Sequence, residues 1–318
     1  MRAFRGLRRI SHVPVVDFGV FTLGNQSEKQ RVSKAVFDAF RDIGFVTLVN
    51  HSIPPALMDK TFSASKQFFA LQREQKNQYL WTSAESNRGY LGIGEEKLQN
   101  GIPDLKETFE IGNEKEQTFP NHWPKELVDF KSTMLEYFAA ADSLHLDVLR
   151  AIAIGLELDQ EYFTPLCDQN HQNLRLLHYP SCKRTEIAES GQKRAGEHTD
   201  YGTLTLLAQE DVGGLQAKRR DGEWIFVPPI QNAMVINVGD CMMRWSNDIL
   251  VSTPHRVIQD PRIEVESIPS RYSIAFFCNP NKSTLIECLP NCSSSENPPK
   301  YKPINAFDYL VGRLNDTI

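Results

Sequence analysis

From Leu174 to Pro280 the chain is a succession of short β-prone runs cut by turn residues: "LRLLHYP", "TLTLLAQ", "GLQAKRR", "EWIFV", "AMVINVGD", "STPHRVI" and "RYSIAFFCNP". This segmentation constrains the fold more than any other feature. Short strands at regular spacing predict a sandwich or barrel, and Asp221-Gly222 between two of the runs is a hairpin signal. The first half reads differently. "PVVDF" (14–18) and "FVTLVN" (45–50) predict strands, but "SEKQRVSKAVFDAFRDIG" places Val32, Val36, Ala39, Phe40 and Ile43 at helical spacing. Ser27 is the expected N-cap there and Gly44 the expected stop. "PPALMDKTFSASKQFFAL" predicts a second helix, "SNRGYLGIGEE" a polar loop, and residues 125–156 a long supporting helix. A polar "CSSSENPPK" loop precedes a last short helix, "NAFDYLVGRL". The expectation is one α+β domain over 1–318. A helix-rich part (about 1–165) flanks a barrel-like core (about 170–290), and a C-terminal helix follows.

With 318 residues, 41% apolar and 24% charged, the chain is long enough for a sizeable core and has the composition of a soluble enzyme. A formal charge of −5 gives no electrostatic footing for nucleic acid or anionic membrane, and no apolar run reaches the roughly 18 to 20 residues of a membrane span. Arg2, Arg5, Arg8 and Arg9 precede the first acid, Asp17, and read as a solvated basic tail rather than a targeting signal. Six cysteines without a CxxC pattern fit a reduced compartment, so a cytoplasmic location is expected.

"GEHTDYGTLTLL" (196–207) carries the chemistry. In an extended chain, residues two apart share a face, so His198 and Asp200 aim an imidazole and a carboxylate at one point. HxD alone also fits an ordinary surface pair, and a metal site needs a third ligand. His12, His51, His122 and His145 lie among N-terminal elements, His171 sits in polar "DQNHQN", and His178 is out of phase with Arg175 and Tyr179 on its strand. His255 in "STPHRVI" remains. Two His and one carboxylate on one face of an octahedron leave three positions open, which suits a non-haem Fe(II) site taking a chelating co-substrate and O₂. A structural zinc site more usually closes with Cys or His.

In "RYSIAFFCNP", Arg271, Ser273, Ala275 and Phe277 share one face. An arginine pointing into a barrel is costly unless it meets an anion, and a guanidinium beside a serine hydroxyl grips a carboxylate well. "LRLLHYP" likewise presents Arg175, Leu177 and Tyr179 together, so the Tyr179 hydroxyl can reach the same carboxylate. An ordinary ion pair is the other reading of Arg271.

HxD, then a distant His, then Arg-x-Ser resembles the iron(II)- and 2-oxoglutarate-dependent dioxygenases, in the branch shared by isopenicillin N synthase and plant flavonoid and hormone dioxygenases. "VPVVDF", "GFVTLVNHSIP" and "FFAL" carry the likeness through the first half. "NRGY", "PDLKETFEIG", "LRLLHYP", "RAGEHTDYGTLTLL", "RWSND" and "RYSIAFFCNPN" most resemble fungal thymine 7-hydroxylase and related fungal biosynthetic oxygenases. The resemblance implies a double-stranded β-helix (jelly roll) flanked by helices. It implies Fe(II) on His198, Asp200 and His255, with 2-oxoglutarate held by Arg271, Ser273 and Tyr179. It further implies oxidation of a small-molecule C–H bond, with 2-oxoglutarate and O₂ converted to succinate and CO₂. Two departures stand out. Leu177 occupies a position where many plant members carry Asn, and "QDPRIEVESIPS" (259–270) lengthens the loop before Arg271.

Candidate substrate contacts are Arg175, Phe277 and Tyr201, with Asn87 and Arg88 reaching over the mouth from their loop. Aromatic plates beside an arginine and an amide suit a flat polar heterocycle such as a pyrimidine. Relatives in fungal biosynthetic clusters act on other aromatic, terpenoid or alkaloid intermediates, and one scaffold serves many chemistries. Two alternatives stay open: a non-haem iron oxidase that uses no 2-oxoglutarate, since isopenicillin N synthase keeps the Arg-x-Ser, and a metal-dependent hydrolase on a similar barrel.

Overall fold

The computed structural model describes residues 11–96, 102–185, 193–259 and 266–316. The basic start and the middle of the lengthened 259–270 loop lie outside these residues. The first half supplies strands β1 (Val15–Asp17), β2 (Phe45–Val49), β3 (Gly89–Leu91) and β4 (Glu107–Ile111). The second half begins with β5 (Asn173–Tyr179), β6 (Cys182–Lys183), β7 (Ala195–His198), β8 (Leu204–Gln209), β9 (Leu215–Lys218) and β10 (Trp224–Phe226). It continues through β11 (Met234–Val238), β12 (His255–Val257), β13 (Ser267–Ile268), β14 (Arg271–Cys278), β15 (Leu285–Ile286) and β16 (Ile304–Asn305). A large sheet runs β1-β2-β11-β8-β14-β5-β4-β3 and a smaller one β10-β9-β12-β7. The four early strands complete both edges of the large sheet, where unpaired backbone would otherwise be exposed.

Alternation along β14 explains how the sheet finds two partners. Ile274, Phe276 and Cys278 are fully buried in the main core, and the Phe276 ring meets Phe138 of helix Phe130–Gly155 edge-on at 4.9 Å. Burying one such side chain contributes roughly 1.5–3 kcal/mol. The opposite face, with Ser273 and Ala275, turns toward the small sheet. There Phe45, Leu177, Leu215, Ala217, Val257 and Ala275 form a second apolar cluster around a cavity.

The hairpin at Asp221-Gly222 forms as the sequence predicts: β9 and β10 pair antiparallel, and Gly222 has φ +86°. Three local expectations need correction. Helix Gln26–Asp42 is capped by Asn25, not Ser27: the Asn25 side chain accepts from the Glu28 amide (3.1 Å), and the Glu28 carboxylate accepts from the Asn25 amide (2.8 Å). That reciprocal box satisfies two amide donors at once and places Ser27 inside the first turn. The long helix starts at Phe130 rather than 125. The stretch read as a loop contains β3, and β4 follows it, with Glu107 and Glu110 both buried. Gly44 does end its helix, with φ +71° and its amide on the Ala39 carbonyl at 3.1 Å.

Candidate active site

The end of β7 and the start of β12 lie side by side, and in their antiparallel register His255 is directly opposite His198. Their ring centroids are 4.3 Å apart. Each imidazole has its Nδ1 on the carbonyl two residues earlier: Gly196 at 2.8 Å for His198, Thr253 at 3.0 Å for His255. Nδ1 must therefore carry the proton, which leaves the Nε2 lone pair for a metal. Both Nε2 atoms point at Asp200 Oδ1, at 3.8 and 3.7 Å. Ligand atoms of all three residues lie within 4.8 Å of one another, near enough for one ion to reach them.

Burial, then repulsion from His255, pushes His198 down to about 3, so its ring is neutral. Burial pulls Asp200 upward, but the neighbouring imidazoles and donors from Asn237 and Thr205 outweigh it and hold the carboxyl below its ordinary value. Two imidazoles and one carboxylate oxygen on a single face are the donor set of a non-haem Fe(II) site. A hydrolytic zinc centre is the weaker fit, because it leaves the anion-receiving end of the cavity without purpose.

That end is built by β14 and β5, where Arg271 opposes Tyr179 and Ser273 opposes Leu177. Arg271 is fully buried; its guanidinium donates to Ser273 Oγ (3.1 Å) and Gln209 Oε1 (3.2 Å) and lies 4.9 Å from the Tyr179 ring centre. Burial lowers its pKa, Tyr179 and the more distant Glu210 only partly offset this, and no carboxylate among the described residues forms an ion pair with it. The other cations lining the cavity are compensated. Arg175 is ion-paired with Glu110, its cross-strand neighbour, and with Glu96 at 3.2 Å. Lys106 holds Glu96 (3.2 Å) and Asp104. Among the described residues, Arg271 is thus the cavity-lining Lys or Arg without an ion-paired carboxylate.

One rung of the large sheet crosses the cavity wall: Phe45, Asn237, Thr205, Phe277 and Asn173 are successive cross-strand partners, and all five line the cavity. Arg175 lies 5.2 Å from the Phe277 ring centre, and Tyr201 and Asn87 line the same cavity. Arg88 does not. Asn87 adopts φ +45°, and the next side chain folds back so that its guanidinium donates to the carbonyls of Ser86 and Asn87, both at 2.9 Å. It lies against Gly112, where a Cβ would fall 1.8 Å from Arg88 Cζ, and borders a separate polar cavity.

Sequence reasoning missed Glu96, Lys106, Thr205 and Asn237, and it expected the C-terminal helix Ala306–Asn315 without placing it at the site. That helix contributes Leu310 and Leu314 to the cavity wall. Its Arg313 lies 4.4 Å from the Tyr201 ring centre and pairs with buried Asp240. Asp240 also accepts from Ser252 (2.6 Å) and Tyr309 (2.8 Å), so the helix is tied to the segments leading to Asp200 and His255. The apolar spacing of "NAFDYLVGRL" was the available signal.

Comparison with known proteins matches residues 13–126 to a family described as non-haem dioxygenase in morphine synthesis N-terminal, and residues 170–280 to the 2OG-Fe(II) oxygenase superfamily. A 2-oxoglutarate-Fe(II) type oxidoreductase of Metarhizium rileyi, ppzD, is 35% identical over 95% of this chain and 90% of its own length. The chain belongs to the 2OG-Fe(II) oxygenase superfamily. The oxygenase is also 35% identical to the proline hydroxylase buaE of Petromyces alliaceus, over 89% of this chain and 92% of the relative. Among solved structures, Neurospora crassa thymine 7-hydroxylase in complex with alpha-KG and thymine superimposes with a TM-score of 0.92. It is 42% identical, covering 97% of this chain and 98% of that one. The fold is accordingly the double-stranded β-helix flanked by helices. The protein is an iron(II)- and 2-oxoglutarate-dependent dioxygenase acting on small molecules. No described helix is long and apolar enough to cross a membrane.

Proposed function

We propose that His198, Asp200 and His255 hold the iron and that Arg271, with Ser273 and Tyr179, takes the distal carboxylate of 2-oxoglutarate. The observation that carries this reading is the contrast between Arg271, buried without a carboxylate, and Arg175 and Lys106, each already paired. A buried unpaired cation is costly, and an anionic co-substrate offsets that cost on binding. The oxidase that dispenses with 2-oxoglutarate shares the Arg-x-Ser, so the choice of 2-oxoglutarate rests on the relatives that use or bind it. Bound iron, with 2-oxoglutarate and O₂, supplies the oxidising power that replaces a C–H hydrogen by hydroxyl.

The chain's own residues decide what is oxidised. The substrate end offers Phe277 and Tyr201 as aromatic plates, the amides of Asn87 and Asn173, and an arginine whose charge is already spent on Glu96 and Glu110. Such a wall selects a flat, uncharged ring with hydrogen-bonding edges. A pyrimidine fits that description, and the Neurospora crassa relative is seen with thymine and with 5-formyluracil. The test is succinate release across a panel of thymine, uracil derivatives, and aromatic and terpenoid fungal metabolites. Stimulation by the pyrimidines supports the reading; stimulation only by the larger metabolites refutes it. Asp200→Ala should abolish substrate-dependent succinate formation, and retention of turnover would remove Asp200 from the ligand set.

A further inference from the structure

Asp200 uses its two oxygens differently. Oδ1 faces both histidine Nε2 atoms, whereas Oδ2 accepts from Thr205 Oγ1 at 2.6 Å and Asn237 Nδ2 at 2.7 Å. The two donors are not neighbours in sequence. Thr205 on β8 and Asn237 on β11 are direct cross-strand partners, so the sheet register itself delivers a hydroxyl and an amide to one carboxylate oxygen. Both are buried, at 4% and 2% exposure, and both line the cavity. The Asp200 carbonyl is fixed as well, accepting from the Asp240 amide at 2.8 Å.

We propose that Thr205 and Asn237 are positioning residues that restrict Asp200 to one-oxygen coordination. The inference rests on Asp200 being an iron ligand. Its consequence is a matter of coordination count. With iron bound, two imidazoles and one carboxylate oxygen would leave three of six positions, two for the keto acid of 2-oxoglutarate and one for O₂. A carboxylate free to turn both oxygens inward would take one of them. Short hydrogen bonds to an ionised carboxylate are strong, and together they saturate Oδ2 on the side away from the histidines.

Thr205→Val is nearly isosteric, and Thr205→Val/Asn237→Leu removes both donors. Thr205→Ser keeps the hydroxyl and serves as the rescue. Without oxygen, calorimetry gives the Mn(II) affinity of each variant and then the 2-oxoglutarate affinity of the Mn(II)-loaded protein. An orienting partner of a ligand ordinarily accounts for about 10–100-fold in metal affinity. Restricted coordination predicts a different split. The double variant keeps Mn(II) affinity within about threefold, because its carboxylate still binds, and loses about tenfold or more in 2-oxoglutarate affinity, or about 1.4 kcal/mol. Thr205→Val alone shows the same direction, and Thr205→Ser stays near the parent protein. Loss of Mn(II) affinity with unchanged 2-oxoglutarate affinity overturns the proposal, as does no change in either. A separate arm guards the premise: Asp200→Ala with undiminished Mn(II) affinity means Asp200 is not a ligand, whatever the donor variants do.

Discussion

Replacing Arg271 by Met should have opposite effects on the protein with and without its co-substrate. Without it, the guanidinium is fully buried and hydrogen-bonded to neutral groups, Ser273 Oγ and Gln209 Oε1 among them, with Glu210 acting on it only at longer range. Replacing buried ionic groups by apolar ones of similar volume ranges from neutral to about 4 kcal/mol stabilising, and removing a cation without an ion-paired carboxylate leaves no charge stranded, so about 2 kcal/mol is the expected gain. For 318 residues the unfolding entropy is about 0.7 kcal/mol per kelvin, and the gain corresponds to about 3 °C in Tm. With 2-oxoglutarate at about one hundred times its Kd, the parent protein gains about 2.7 kcal/mol, or about 4 °C. In Arg271→Met the distal carboxylate loses its charged partner, at about 3–5 kcal/mol, so the same concentration should produce a shift below about 1 °C. The assay is thermal unfolding of Mn(II)-loaded protein with and without 2-oxoglutarate, Mn(II) preventing turnover. The expected pattern is a higher melting point without co-substrate and almost no response to it. A variant that melts lower than the parent and still gains several degrees from 2-oxoglutarate refutes the reasoning, because Arg271 would then be a structural cation with a partner.

Glu110 makes a pH prediction. Burial, with Glu96 nearby and only partly offset by Arg175, pushes its carboxyl up to about 7 from an ordinary value of 4.5. The folded state therefore binds more protons than the unfolded one between these values, and its stability falls as pH rises through that window, by about 3 kcal/mol from this group. Glu110→Gln should flatten the decline in Tm between pH 5 and pH 7.5, and an unchanged decline would assign the effect elsewhere. Gly44 makes a backbone prediction: it has φ +71°, and a Cβ would lie 2.1 Å from the Val251 carbonyl oxygen and 2.5 Å from Thr253 Oγ1. Gly44→Ala should cost about 2 kcal/mol or more in denaturant unfolding, and a loss under about 0.5 kcal/mol would show that the helix–strand junction relaxes.

What the sequence disclosed and what it withheld follow from the range of the interactions. His198 and Asp200 were legible as a pair because their spacing is local, but β7 ends at His198 and Asp200 is held beyond it by Thr205, Asn237 and the Asp240 amide. His255 was reached by elimination, but its register opposite His198 was not, since pairing depends on a strand far away in sequence. β4 was hidden by Glu107 and Glu110, which look like solvent-facing residues until their partners are known. Lys76 (2.7 Å), His178 (2.7 Å) and Tyr90 (2.5 Å) satisfy Glu107, and Arg175 lies across the sheet from Glu110. Arg88 was misplaced because the left-handed turn at Asn87 that redirects it leaves no mark beyond the asparagine.

The hardest distinction is also the most informative. Arg175 and Arg271 sit in neighbouring strands, both face the cavity, and both are followed two residues on by a small or apolar side chain on the same face. No local pattern separates them. What separates them is whether another strand delivers a carboxylate: β4 and the segment after β3 do so for Arg175, and no described residue does so for Arg271. An inward arginine is therefore ambiguous in a sequence and decisive in a structure. In the proposed function the paired one shapes a wall that rejects charge, and the unpaired one marks where an anion from outside would bind.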